Sequence, residues 1–303
     1  MKFDIIIMEE LKKIYPEAEI AVQDVRKTNI SYKALTIREN GNPLSPAINL
    51  DDYEKRYEEG ASIDMIVASI DSVYQEHKGD MSVVPEMTRE NFLSHTTLKL
   101  INREKNADKM ENTPYIEWAD LIAIPVYVNR TEGGMTSIVE HNSLLKNLGI
   151  TPEEALEAGK QSLSPKVGNI RDVVMSFLGS DYTEQDLNDV IDLTDPNTLY
   201  VMSNSQKYFG ASAVLDTKKL DEICEIMGDD LIILPSSIHE VLIISAEGHD
   251  PKELCQIVHD VNTSCVSPEE VLSENVYLYD RELHQVKTCA AEIGMDEREA
   301  YGV

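Results

Sequence analysis

The apolar residues of this chain never run on. Short β-branched runs bounded by turn formers alternate with stretches of helical spacing along its whole length. Leu121–Val128, Leu231–Leu234 and Val241–Ile244 are strand-like. Phe3, Ile6, Ile7, Leu11 and Ile14 recur at helical spacing, and Pro16 ends that helix. The pattern predicts an α+β fold: antiparallel hairpins packed against helices, with strand-strand-helix units in the C-terminal half. No run is long enough to span a bilayer as a helix.

The chain divides on this reading into an N-terminal helix/hairpin lobe (1–115), a C-terminal α+β lobe (116–296) and a frayed tail (297–303). Glu19–Val25 and Ile30–Ile37 form a hairpin in the first lobe, followed by helices over 50–58 and 62–76. A third helix is expected over 88–104, with Phe92, Leu93, Leu100 and Ile101 on its apolar face. The polar stretch NREKNADKMENTP then reads as a surface linker. A second hairpin and helix fill 121–148. Thr151-Pro152-Glu153-Glu154 is a capping box at a helix start. Further helices are expected over 169–178 and 183–191.

Leu199–Met202 and Ala211–Leu215 read as strands, then a helix capped by Asp216 and stopped by Gly228. Next come two strands around Pro235–Glu240, a helix opened by Asp250-Pro251, and a second capping box at Ser267–Glu270. Asn275–Tyr279 and His284–Lys287 pair last. Leu220, Ile223, Cys224 and Met227 match Leu254, Ile257, Val258 and Val261 at an offset of 34 residues. This suggests a strand-strand-helix pseudo-repeat, against the plainer reading that any amphipathic helix repeats such spacing.

There are 55 acidic and 27 basic side chains, a formal charge of −28. That excess repels nucleic acid and disfavours anionic membranes. It leaves basic partners, divalent cations or plain solubility open, solubility being the plainer reading, and the partner expected is an unidentified protein or small molecule. The 303 residues suffice to bury a core without disulfides or metal. Cys224, Cys255, Cys265 and Cys289 include no CxxC pair. Together with an N-terminus lacking a signal-peptide pattern, this predicts a reducing, cytoplasmic setting. No cofactor motif is present.

The runs LIILPSSIHEVLII (231–244), HDVN (259–262) and VSPEEVLSENVYLYDR (266–281) resemble the bacterial domain-of-unknown-function family 5688. TIRENGNPLSPAINLDDY (36–53) and NTLYVMSNSQKYFGASAVL (197–215) are similar to it too. The resemblance spans nearly the whole chain. It implies an intracellular protein of Gram-positive bacteria and brings no reaction, ligand or catalytic residue.

Local chemistry therefore supplies the candidates. Ser236, Ser237, His239 and Glu240 stand between two strands. Ser237 with His239 and Glu240 has the side chains of an acyl-transfer centre, although neighbours on an extended segment face opposite ways. Without that role, the segment is a hairpin turn. Cys255 and His259 share a helix face and could hold a soft metal, against the plainer reading of a semi-buried thiol beside a surface histidine. Tyr277 and Tyr279 share a strand face. The favoured expectation is a non-enzymatic binding or regulatory protein, with Ser236, Ser237, His239, Tyr277 and Arg281 as its contact region. The alternatives are a serine hydrolase and a metal-binding regulator.

Overall fold

A computed structural model describes residues 2–39, 45–78, 88–131, 134–169 and 199–289. The expected helices over 169–178 and 183–191 and the tail 297–303 lie outside the described residues. The chain forms two compact units, 1–86 and 87–303.

The first unit is a three-stranded antiparallel sheet with helices. Strand β1 (Glu19–Arg26) pairs with β2 (Ser31–Arg38), and β2 pairs with β3 (Ile48–Asn49). Asn29 takes a left-handed conformation in the β1–β2 turn, which asparagine tolerates. Helix α1 (Phe3–Ile14) buries Phe3, Ile7 and Leu11. Helix α2 (Asp51–Glu58) precedes α3 (Ile63–His77), which buries Ile66, Val67, Ile70 and Tyr74. These side chains share one core with Leu35, Ile37 and Ile48.

The second unit holds two antiparallel sheets. One contains β4 (Thr96–Asn102), β5 (Ile116–Trp118), β6 (Leu121–Thr131) and β7 (Gly134–Val139), with β6 central. The other runs in the order β13-β12-β10-β11-β9-β8, formed by Gln285–Cys289, Val276–Asp280, Leu231–Ser237, Glu240–Ser245, Tyr200–Asn204 and Pro165–Asn169. Leu98, Leu100 and Ile122 from the first sheet share a core with Ile233, Val241 and Tyr277 from the second.

Short helices α4 (Arg89–Ser94), α5 (Ala107–Met110) and α6 (Asn142–Asn147) alternate with these strands along the chain, and α7 (Pro152–Gln161) packs on β4 and β6 and meets α4 and α6. Thr151 and Glu154 close the capping box of α7 reciprocally. Helix α8 (Thr217–Met227) ends at left-handed Gly228. It buries Leu220, Ile223 and Cys224 in the shared core. Helix α9 (Pro251–Ser264) packs Cys255 and Val258 against Ile232, Ile244 and Val276 from another apolar cluster.

Six local expectations are corrected. Residues 88–104 hold α4 and then β4, because the apolar set there satisfies two periods. Thr96, Leu98 and Leu100 alternate inward, and pairing with β6 selects the period of two. This pairing builds residues 96–102 into the second unit. The stretch 102–114 is no surface linker: Asn106, Lys109 and Thr113 are buried. Lys109 Nζ donates to Asn106 Oδ1 at 2.8 Å, so the burial is compensated.

Ala211–Leu215 lies in a 3-10 helix (Gly210–Leu215), whose first five residues are buried. A Cβ on Gly210 would lie 2.5 Å from the His239 carbonyl oxygen and 2.7 Å from Asn204 N, so the chain passes too closely there for a larger residue. The strand-strand-helix order accordingly holds for β6–β7–α6 and β10–β11–α9, and fails before α8. Ser267–Glu270 opens no helix, because the Glu270 carbonyl accepts the Ile238 N–H at 2.9 Å. Finally, α9 buries Cys255, Val258 and Asn262 and leaves Ile257 and Val261 exposed, so its inner face is rotated from the expected stripe.

Candidate functional site

The β10–β11 hairpin turns through Ile238 and His239, with Ser237 opposite Glu240 and a register shift between Pro235 and Ser237. Ile238 is buried, and its side chain anchors the turn in the core. The turn rests on the loop after β9. Ser203 Oγ donates to the His239 carbonyl at 2.7 Å, and Ala211 N donates to the Ile238 carbonyl at 3.3 Å. The Asn204 side chain organises that loop, accepting Gln206 N–H at 3.1 Å and donating to the Tyr208 carbonyl at 2.9 Å.

The His239 ring stacks parallel to Phe209, with centroids 6.0 Å apart, and tilts against Tyr208. Lys99 Nζ sits 4.6 Å from the Phe209 ring centroid. Phe209 N–H donates to His239 Nδ1 at 3.2 Å, so a neutral ring carries its proton on Nε2. Nε2 faces Glu270 Oε1 at 3.4 Å. Ser237 Oγ accepts the backbone N–H of His239 at 3.1 Å. An acyl-transfer base needs one nitrogen on a carboxylate and the other on the serine. Here a backbone amide occupies the second nitrogen. The carboxylate at the ring is Glu270, which reading by neighbours in sequence missed in favour of Glu240.

The remaining candidates do not join this group in a shared site. Tyr277 is 1% exposed and packs edge-on against Trp118. Its hydroxyl donates to Asp120 Oδ1 at 2.7 Å, while Ser273 and Asn275 donate to Asp120 Oδ2. Tyr277 therefore presents no contact surface. Burial raises its phenol well above the usual value, and the Asp120 charge adds to this. Arg281 donates to the Gly228 carbonyl and lies beside Asp230, placing a cation where the α8 dipole is negative.

Cys255 is buried and donates its S–H to the Cys289 carbonyl at 3.3 Å. Burial pushes its thiol up, which opposes the thiolate a metal needs. His259 Nδ1 lies 3.1 Å from Glu274 Oε2. Among the described residues, no group of three or more His, Cys, Asp or Glu side chains is placed to hold a metal ion.

A different centre lies beside α4 and α7. Arg89, which opens α4, pairs with Glu154 on α7. Gly159 lets α7 approach β4, since a Cβ there would lie 2.7 Å from Leu98 Cδ2. The cleft lined by both helices measures about 740 Å³. Leu93 and Ala158 contribute apolar surface, while Glu153, Glu154 and Glu157 supply acids. Thr96 lies in its wall.

Thr96 leads to a buried acid. Its Oγ1 stands 2.6 Å from Glu140 Oε1 and 2.9 Å from the Phe92 carbonyl oxygen. The single hydroxyl proton of Thr96 is shared between these two acceptors. Glu140 is 0% exposed, and its Oε2 has no hydrogen-bond partner among the described residues. Burial pushes its carboxyl up to about 7, opposed by the Thr96 hydrogen bond. Sequence reasoning missed Glu140. Its local signal is slight: one acid directly after the Ile138-Val139 end of a strand.

The sequence profile of the family of unknown function DUF5688 matches residues 1–281. The chain belongs to this family. No curated protein and no solved structure matches the chain. Membership in DUF5688 supplies no ligand or reaction, so the chemistry of this member rests on its own geometry. No helix of the described residues is long and apolar enough to cross a membrane.

Proposed function

We propose that this DUF5688 member is a non-catalytic binding protein that receives a cationic group, an ammonium or guanidinium, in the cleft beside α4 and α7. One observation carries the reading: an acid-bearing cleft with apolar surface has in its wall Thr96, the residue whose hydroxyl bonds a fully buried carboxyl of raised pKa. The charge of −28 favours basic partners over anionic ones. The occupied nitrogens of His239 and the protonated state favoured for the Cys255 thiol support binding over catalysis. All four cysteines are free thiols, which supports a reducing, cytoplasmic setting.

The test is calorimetric titration with short lysine- and arginine-rich peptides. Glu153→Lys with Glu157→Lys is expected to weaken binding at least tenfold; Glu154 is spared because it closes the α7 cap. Equal affinity in the double variant sinks the cleft assignment. A fluorophosphonate adduct on Ser237 that disappears with His239→Ala would establish the hydrolase instead. Stoichiometric metal in untagged protein, lost with Cys255→Ser, would establish the metal-binding alternative.

A further inference from the structure

We propose that the outer edge of β1 accepts an extended, basic peptide segment from a partner, added as a strand beside β1. This surface belongs to the first unit and does not depend on the cleft of the second. β2 is the middle strand of the sheet, and β1 pairs with no other strand among the described residues. It runs for eight residues and pairs with β2 residue for residue, from Glu19↔Arg38 to Arg26↔Ser31.

Open edges of this kind template further strands, and proteins usually blunt them with proline, lysine or a bulge. The β1 sequence EIAVQDVR contains neither proline nor lysine, and its pairing shows no register shift. A groove of about 420 Å³ lies beside α1 and β1, lined in part by Ile5, Met8 and Ile20. Ile5 is 39% exposed. Strand addition needs two components: a backbone edge for main-chain hydrogen bonds and a pocket for alternate side chains. Both stand together here.

Charge selects the occupant. Glu9 and Glu19 line the groove, and Asp24 is exposed further along the strand. Lys12, also in the lining, donates its ammonium to the Ala18 carbonyl at 2.6 Å, and Lys13 pairs with Glu10. Arg26 is the one cation within the strand and closes its far end, while Arg38 and Lys33 on β2 stand opposite Glu19 and Asp24, so the least offset acid at the groove is Glu9. A segment that places a valine or isoleucine in the groove between lysines or arginines fits this field.

The probe is a synthetic peptide of alternating lysine and valine, with a version N-methylated at alternate backbone amides as control. Hydrogen exchange on the full chain is expected to show new protection at residues 19–26 when the peptide binds. Ile5→Lys and Glu19→Lys, both at exposed positions, should each weaken it at least tenfold, as should N-methylation. The cleft variant Glu153→Lys/Glu157→Lys should retain the β1 protection, which separates this surface from the cleft. Absence of protection at 19–26 overturns the proposal. Equal binding of the N-methylated peptide does so too, since attraction would then be charge alone. Concentration-dependent protection of β1 without peptide, matched by a dimer in sedimentation, assigns the edge to a second copy and likewise overturns it.

Discussion

At the hairpin tip, a half-buried imidazole uses both ring nitrogens and its own carbonyl: Phe209 N–H and Glu270 take the nitrogens, and Ser203 takes the oxygen. At the end of β7, a fully buried carboxyl uses one oxygen on Thr96 and leaves the other without a partner among the described residues. Both are polar groups surrounded by apolar side chains. The first is a completed network, which holds a turn in one conformation. The second keeps an unspent bonding capacity and has two protonation states to choose between near neutral pH. Candidates chosen for nucleophile chemistry thus fall on the finished centre, and the unfinished one lies outside them.

The hairpin tip is most easily disrupted at Gly210. Any side chain there meets backbone atoms of the hairpin turn and the Asn204 loop, which cannot swing aside as a side-chain end can. Gly210→Ala is expected to cost about 3 kcal/mol or more in denaturant unfolding. A cost under about 1 kcal/mol would show that the tip is not held rigidly.

Glu140 gives the next effect, and its sign follows from its raised pKa. Below the unfolded value of 4.5, both states carry the proton and the full stability is present. Between 4.5 and about 7 the unfolded chain releases its proton first, so stability falls as pH rises, and the loss is complete above about 7. The shift is worth at most about 3 kcal/mol. Glu140→Gln cannot ionise, so it should gain about 2 kcal/mol over wild type at pH ~8 and almost nothing at pH ~4. Urea unfolding at both pH values checks it.

His239→Ala sharpens the contrast from the other side. It removes the acceptor of Phe209 N–H and the ring packed on Phe209, for an expected loss of about 1.5 kcal/mol. Smallest is Thr151→Ala, which opens the α7 capping box beside the cleft and should cost about 1 kcal/mol. Thermal unfolding reads both.

Much of the fold was legible because its signals are local. Helix α1, the β1–β2 hairpin, the Thr151 cap and the Gly228 stop each depend on a few adjacent residues. Where the reading failed, a distant partner decided. β4 is a strand because β6 lies beside it, and Ser267–Glu270 stays a turn because Ile238 takes its carbonyl. The face of α9 is set by the sheet against which Cys255 and Val258 pack. The candidate site was less legible for the same reason. Glu140 meets its hydrogen-bond partner Thr96 across 44 positions, and nothing in Ile138-Val139-Glu140-His141 announces that. The Glu270 carboxylate likewise arrives from a different segment than the turn it faces.

Carbon-detected nuclear magnetic resonance of the Glu140 side-chain carboxyl, followed against pH in the folded protein, tests the account at its centre. A midpoint near 7, well above the ordinary value of 4.5, is the expected result. A midpoint near 4.5 would mean that water or an unseen donor reaches Oε2, and the buried acid behind the cleft would lose its place in the argument.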